Sequence, residues 1–113
     1  MIDSCRFGSM VIDGTRYQSD LIIYPDGKVR DSWRRMRGHR LSRSDIEDLI
    51  ATEPAILVVG TGVYGRMKVE SALEADLSGR NIRLMAGRNS KAIAWFNEHF
   101  PNHRTGACFH LTC

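Results

Sequence analysis

Residues 55–62 read Ala-Ile-Leu-Val-Val-Gly-Thr-Gly. Four consecutive apolar residues, Ile56–Val59, rich in β-branched side chains, run into two glycines. A short run of that kind suits a strand buried on both faces better than a one-sided surface strand. Gly60 and Gly62 permit a sharp turn and a close approach of backbone amides to a neighbour or a ligand. A strand covered on both faces needs a sheet around it and other elements above and below.

The flanking pattern supplies those elements. Phe7–Ile12 is strand-like, and Asp13-Gly14 after it is a two-residue hairpin signal with Thr15–Gln18 as the return strand. Leu21–Tyr24 is a further apolar run, closed by the Pro25-Asp26-Gly27 turn, with Lys28–Arg30 placed to pair back. Arg30–Arg43 has no clean period and reads as an extended surface connection pinned by Trp33. Ser44-Asp45-Ile46-Glu47 has capping-box spacing, Ile46, Leu49 and Ile50 form a helical stripe, and Pro54 stops that helix. A second helix is predicted over Lys68–Leu77, with Val69, Ala72, Leu73 and Leu77 on one side and Gly79 as its end signal. Ile82–Ala86 is a strand. Asn89 or Ser90 then caps a third helix with Ile93, Phe96 and Phe100 inward, and Arg104–Thr112 is the last strand, with Ala107, Phe109 and Leu111 sharing a face. The fold class is therefore α/β: an N-terminal β-meander followed by α-β-α-β-α-β around a mixed central sheet. The meander either extends that sheet or lies as a second layer.

The 113 residues are read as a single domain, 1–113, large enough for a real core. No apolar run approaches the ~20 residues that cross a bilayer, so no membrane insertion is expected. The first residues lack a signal peptide's apolar core and an organellar presequence's basic bias, so the expected location is cytoplasmic. Three cysteines, Cys5, Cys108 and Cys113, form no disulfide framework. The net charge of +3 is local: residues 28–43 carry seven Lys/Arg against one acid, leaving nine basic and twelve acidic residues elsewhere.

Gly60-Thr61-Gly62-Val63-Tyr64-Gly65 matches G-x-G-x-x-G. A nicotinamide cofactor is nevertheless disfavoured. A meander and a helix precede the strand, no acid follows at the end of Ile82–Ala86, and the next helix starts well past the last glycine. A structural turn leads, with a bare anion nest at Gly60–Gly62 kept beside it. The basic segment could follow a phosphate backbone, but the rest of the domain is acidic and no RNA-binding signature occurs, so nucleic acid is not the expected partner. Cys5, His110 and Cys113 fall short of a ligand set, so no metal is assigned. No nucleophile, base and orienter can be assembled from spacing: Ser90, His99 and Asp76 are scattered, and no catalytic residue is assigned.

Phe7-Gly8, Asp13-Gly14 followed by Tyr17, the Val-Val-Gly-Thr-Gly of 58–62 and Phe96-Asn97 ahead of the last strand carry a resemblance. The chain resembles a family of small α/β proteins of archaea and bacteria. That family also holds the mitochondrial respiratory complex I assembly factor 3 and the adipogenesis-associated domain protein of animals. The resemblance implies three layers: a mixed central sheet with helices on one side and a helix plus a smaller β layer on the other. It implies no established enzymatic activity and no cofactor. Many relatives carry Asp-Thr just before the helix that holds Phe-Asn; here Arg88-Asn89 stands there, which would make a pocket more welcoming to an anion.

Two functional readings follow. One is a non-catalytic protein-interaction or assembly module with an as yet unspecified protein partner, using Trp33, Arg34, Arg35, Arg37 and Arg40. The other is a small-molecule or anion site, binding or catalytic, at the carboxyl end of the central strand. Gly60, Thr61, Gly62, Tyr64, Arg66, Arg88 and Asn89 would line it.

Overall fold

The buried strand is where the glycine run places it. In the computed structural model, which describes all residues Met1–Cys113, every residue of Ile56–Gly60 is buried. This strand, β7, sits inside a five-stranded sheet of order β5-β4-β10-β7-β9, formed with Val29–Arg30 (β5), Leu21–Ile23 (β4), Thr105–Phe109 (β10) and Arg83–Gly87 (β9). β7 is parallel to both neighbours, whereas β10 is antiparallel to β4, so the sheet is mixed.

Both faces are covered, because alternate residues of each strand enter different cores. Leu57, Val59, Cys108 and Ile22 join Ile46, Leu49 and Ile50 and, from helix α2 (Ser71–Gly79), Leu73 and Leu77. The short helix α1 (Glu47–Ala51) carries Leu49 and Ile50. Ile56, Val58, Ala107 and Phe109 join Ala92 and Phe96 of helix α3 (Asn89–His99) together with Ile2, Met10 and Ile12. The latter three belong to a separate antiparallel sheet of β1 (Ile2–Arg6), β2 (Ser9–Ile12) and β3 (Thr15–Tyr17). The three layers implied by the resemblance are present. The meander divides, its first part forming the small sheet and its second part extending the large one. The Asn97 side chain ties the small sheet to α3, accepting the Ile2 N–H and donating to the Ile2 carbonyl, both at 2.9 Å.

Several boundaries differ from the sequence reading. β1 precedes the predicted first strand; its polar residues and a register shift between Ile2 and Ser4 hide the alternation. The first helix opens with a 3₁₀ turn, Arg43–Ile46, and the cap is Ser42, not Ser44. The Asp45 carboxylate accepts both the Ser42 N–H and hydroxyl at 2.9 Å, while Glu47 points to solvent. Lys68–Val69 (β8) is not helical but pairs in parallel with Arg40–Leu41 (β6), so α2 starts later, and Ala72 is exposed. Gly79 lies inside α2, and the left-handed residue that ends the turn is Asn81, at φ 58°. Trp33 does pin the basic connection: it is 3% exposed, and its indole N–H donates to the Asp45 carbonyl at 2.9 Å.

Candidate functional site

β7 leads through α2 to β9 on one side, and β9 returns through α3 on the opposite face to β10 on the other side. The winding therefore changes direction between β7 and β10, and the crevice beyond their carboxyl ends is where open α/β sheets place ligands. Here the chain itself fills that crevice. The Thr61 N–H donates to the Gly87 carbonyl (2.9 Å), the Val63 N–H to Thr112 (2.7 Å) and the Arg66 N–H to Cys113 (2.8 Å). The Gly62 N–H donates to Asn89 Oδ1 at 3.1 Å, and Asn89 Nδ2 donates to the His110 carbonyl at 2.8 Å.

Both glycines answer to this packing. A Cβ on Gly60 would lie 2.2 Å from the Phe109 ring and 2.5 Å from Asn89 Oδ1. Gly62, at φ +113°, lets the Cys113 backbone approach to where its own Cβ would be, 2.3 Å away. Gly60, Thr61, Gly62 and Asn89 are buried, and the amides of Thr61, Gly62, Val63, Gly65 and Arg66 already have partners. Tyr64, Arg66 and Arg88 are exposed at the rim, with the Arg88 side chain crossing Gly65. Tyr64, 61% exposed, stands 6.0 Å from the equally open Phe7 ring. Beside the loop, an open hollow of about 400 Å³ is lined by Cys5, Val63, Asn89, Ser90 and Ile93. Burial raises the Cys5 thiol above its ordinary range, partly offset by the Asn89 amide.

The basic segment separates into an inner and an outer set. Trp33 is buried, and the Arg35 side chain is 4% exposed. Arg35 donates from Nη1 to Asp20 Oδ2 at 2.8 Å and from Nε and Nη2 to the Gly38 carbonyl at 3.0 and 2.7 Å, and its guanidinium lies 4.8 Å from the Trp33 ring centroid. Arg34, Arg37 and Arg40 face solvent together with Met36, which is 86% exposed. Asp45 Oδ1 accepts the Met36 N–H at 3.0 Å, fixing the backbone beneath that side chain.

Sequence reasoning did not find the buried ionic network that anchors this segment. Asp20 Oδ2 also meets His110 Nδ1 at 2.8 Å, and Asp20 Oδ1 accepts the Leu111 N–H at 2.7 Å. Burial would raise the Asp20 carboxyl, but the bonds from His110, Leu111 and Arg35 outweigh it and hold the group below the usual carboxylate range. The His39 ring stands edge-on to His110 at 5.5 Å. The partners are 15 and 90 residues from Asp20 in sequence, so no local spacing announces them. Asp20 and His110 line no cavity, while Arg35 borders an open hollow of about 380 Å³ shared with Arg34 and Met36; the network ties β10 and the basic segment to the residue before β4. No group of three or more His, Cys, Asp or Glu side chains is placed to hold a metal ion. No helix is long and apolar enough to cross a membrane.

A family model described as "Protein of unknown function (DUF498/DUF598)" matches residues 2–110, nearly the whole chain, and the chain belongs to that family. No curated protein matches it. Among solved structures, a conserved hypothetical protein from Pyrococcus horikoshii OT3 is similar at 26% identity with a TM-score of 0.88, covering 100% of this chain and 99% of that one. The Rpa2829 protein from Rhodopseudomonas palustris is similar at 23% identity and TM-score 0.77, over 97% of this chain and 82% of that one. A protein described as an outer membrane protein from Bartonella henselae is 18% identical at TM-score 0.79, over 99% and 94% of the two chains. The last two likenesses are likenesses of fold.

Proposed function

With membership of that family as the premise, and no activity carried by its description, we propose that the chain acts as a single, non-catalytic docking domain for a protein partner. The observation that carries this reading is the exposed quartet Arg34, Met36, Arg37 and Arg40 on a backbone locked from within by Trp33, Arg35 and Asp45. A methionine left 86% exposed among three arginines suits an acidic partner surface with an apolar patch. A rigid backbone beneath it lowers the ordering cost of association. The sequence resemblance to a family that also holds a mitochondrial complex I assembly factor supports an assembly role, and a cytoplasmic location goes with this reading.

The test is a photo-crosslinker in place of Met36 in the native host. A discrete adduct is expected that disappears when Arg34, Arg37 and Arg40 are changed to Glu together and is not formed from exposed Thr15. The same adducts from all three proteins would refute it.

A second reading has one observation in its favour. The hollow beside Asn89 lies next to the glycine loop, and neither Arg66 nor Arg88 at the rim has an ion-pair partner. A small anion in that hollow, against Asn89 beside the Gly60, Thr61 and Gly62 loop and under Tyr64, Arg66 and Arg88 at the rim, would raise the melting temperature with phosphorylated metabolites, and the Arg88→Ala variant would lose that rise.

A further inference from the structure

The five-stranded sheet has two edges of different character. β5 is two residues long, preceded by Lys28 and ending in Arg30, which blunts it against other chains. β9 runs for five residues, Arg-Leu-Met-Ala-Gly, without a proline and in unbroken register with β7. The Arg83 N–H donates inward to Ala55, and the Gly87 carbonyl accepts inward from Thr61. In a parallel ladder such inward residues alternate with outward ones. The backbone N–H and C=O groups of Leu84 and Ala86 therefore point off the sheet.

We infer that this edge is a homodimer interface: two copies join β9 to β9, antiparallel about a twofold axis at Met85, into one continuous ten-stranded sheet. With that axis, Leu84 of one copy falls opposite Ala86 of the other, twice. Both are outward residues, so each pair exchanges two backbone hydrogen bonds, four in all. A slip of one residue would set outward groups against inward ones and lose them.

The face above the edge is self-complementary in the same register. A side chain at Gly87 would meet the Trp95 ring at 3.0 Å and Lys91 Cβ at 3.9 Å, so these two residues of α3 overlie the edge strand. Lys91, Trp95 and Glu98 share one flank of α3 at helical spacing. Trp95 is half-buried, Lys91 is exposed without an ion pair, and Glu98 has only the His99 ring, 3.9 Å away. Two α3 helices related by this axis run antiparallel, which brings Lys91 of each copy toward Glu98 of the other. Arg83, opposite Gly87 of the second copy, reaches that copy's Trp95 face. The partner is therefore a second copy of this chain. The basic segment leaves the sheet from β5, at the opposite edge, and stays open in the dimer.

Sedimentation equilibrium of the intact chain at tens of micromolar tests this. The expected mass is twice 12.8 kDa. Ala86→Pro removes only an outward donor and is expected at 12.8 kDa with an unchanged circular dichroism spectrum. Lys91→Glu is expected to raise the dissociation constant about tenfold or more, and Lys91→Glu with Glu98→Lys to restore it, since swapped charges keep the pairing. The surface pair keeps the test decisive even if the proline variant does not fold. A wild-type mass of 12.8 kDa, an undiminished dimer in Ala86→Pro, or equal dissociation constants for the single and swapped variants would overturn the proposal.

Discussion

Asp20→Ala removes the carboxylate on which Arg35, His110 and the Leu111 amide converge. The Arg35 side chain is 4% exposed, so its charge would be left with the Gly38 carbonyl and the His110 ring nitrogen, 3.1 Å from Nη2, and the Leu111 N–H with no partner inside the protein. Breaking a buried pair from one side costs about 3–5 kcal/mol. The Asp20 side chain is 17% exposed, and water reaching the gap favours the lower end, about 3 kcal/mol. For a chain of this length that corresponds to a fall of roughly 12 °C in melting temperature. Arg35→Met removes the other charge while keeping the packing on Trp33. The double variant should lose less than the sum of the singles by about 2 kcal/mol, because neither leaves an orphan for the other to expose. The pH dependence has a definite sign. A carboxyl held below its ordinary 3.8 contributes stability that is complete above about pH 5 and is lost as pH falls through the depressed value. The gap between wild type and Asp20→Ala should narrow as pH falls below ~4. Thermal and urea unfolding followed by circular dichroism across that range supply the numbers. A single variant within about 1 kcal/mol of wild type, or a strictly additive pair, would refute the account of this network.

Three further outcomes are expected. Gly60→Ala should cost about 2–3 kcal/mol in urea unfolding, since its Cβ would sit 2.2 Å from the Phe109 ring, while Gly79→Ala, with nothing within 4 Å inside α2, should gain about 0.5–1 kcal/mol. Asn89→Ala should cost roughly 2–4 kcal/mol, read by the same unfolding curves, because the Gly62 N–H and the His110 carbonyl both lose their partner in a buried place. Burial pushes the Cys108 thiol up to about 12, so iodoacetamide at pH 8 followed by mass spectrometry should label Cys5 slowly in the native protein, because burial raises its thiol too, and Cys108 only after denaturation.

The architecture was legible where one residue type had one physical use. Ile56–Val59 needed cover on both faces, Asp13 and Gly14 both take positive φ in their hairpin, and the Ile46, Leu49, Ile50 stripe is wholly buried. Reading failed where a residue had two uses. Ser42 and Ser44 both offer a cap, and only the reach of Asp45 back to Ser42 decides between them. Lys68-Val69 has acceptable helix propensity, but pairing with Arg40-Leu41 draws it into a strand. Within the basic segment, composition made all the arginines alike. The fold buries Arg35 against Asp20 and leaves Arg34, Arg37 and Arg40 outside, a distinction set by a residue far back in the chain.

The filled crevice sets a cost on any ligand that would enter it. A ligand entering between β7 and β10 must displace residues 111–113, breaking the Val63–Thr112, Arg66–Cys113, Gly8–Leu111 and Leu111–Asp20 bonds at about 1 kcal/mol each. It must also expose Leu111, 1% accessible, at about 2 kcal/mol more. An opening cost of about 6 kcal/mol weakens apparent affinity by roughly ten-thousandfold. The usual ligand position of an open α/β sheet is thus closed from within by Asn89 and the last strand's exit, with the glycines serving that closure. Under the proposals above, recognition falls to the periphery, at the arginines around Met36 and at the β9 edge.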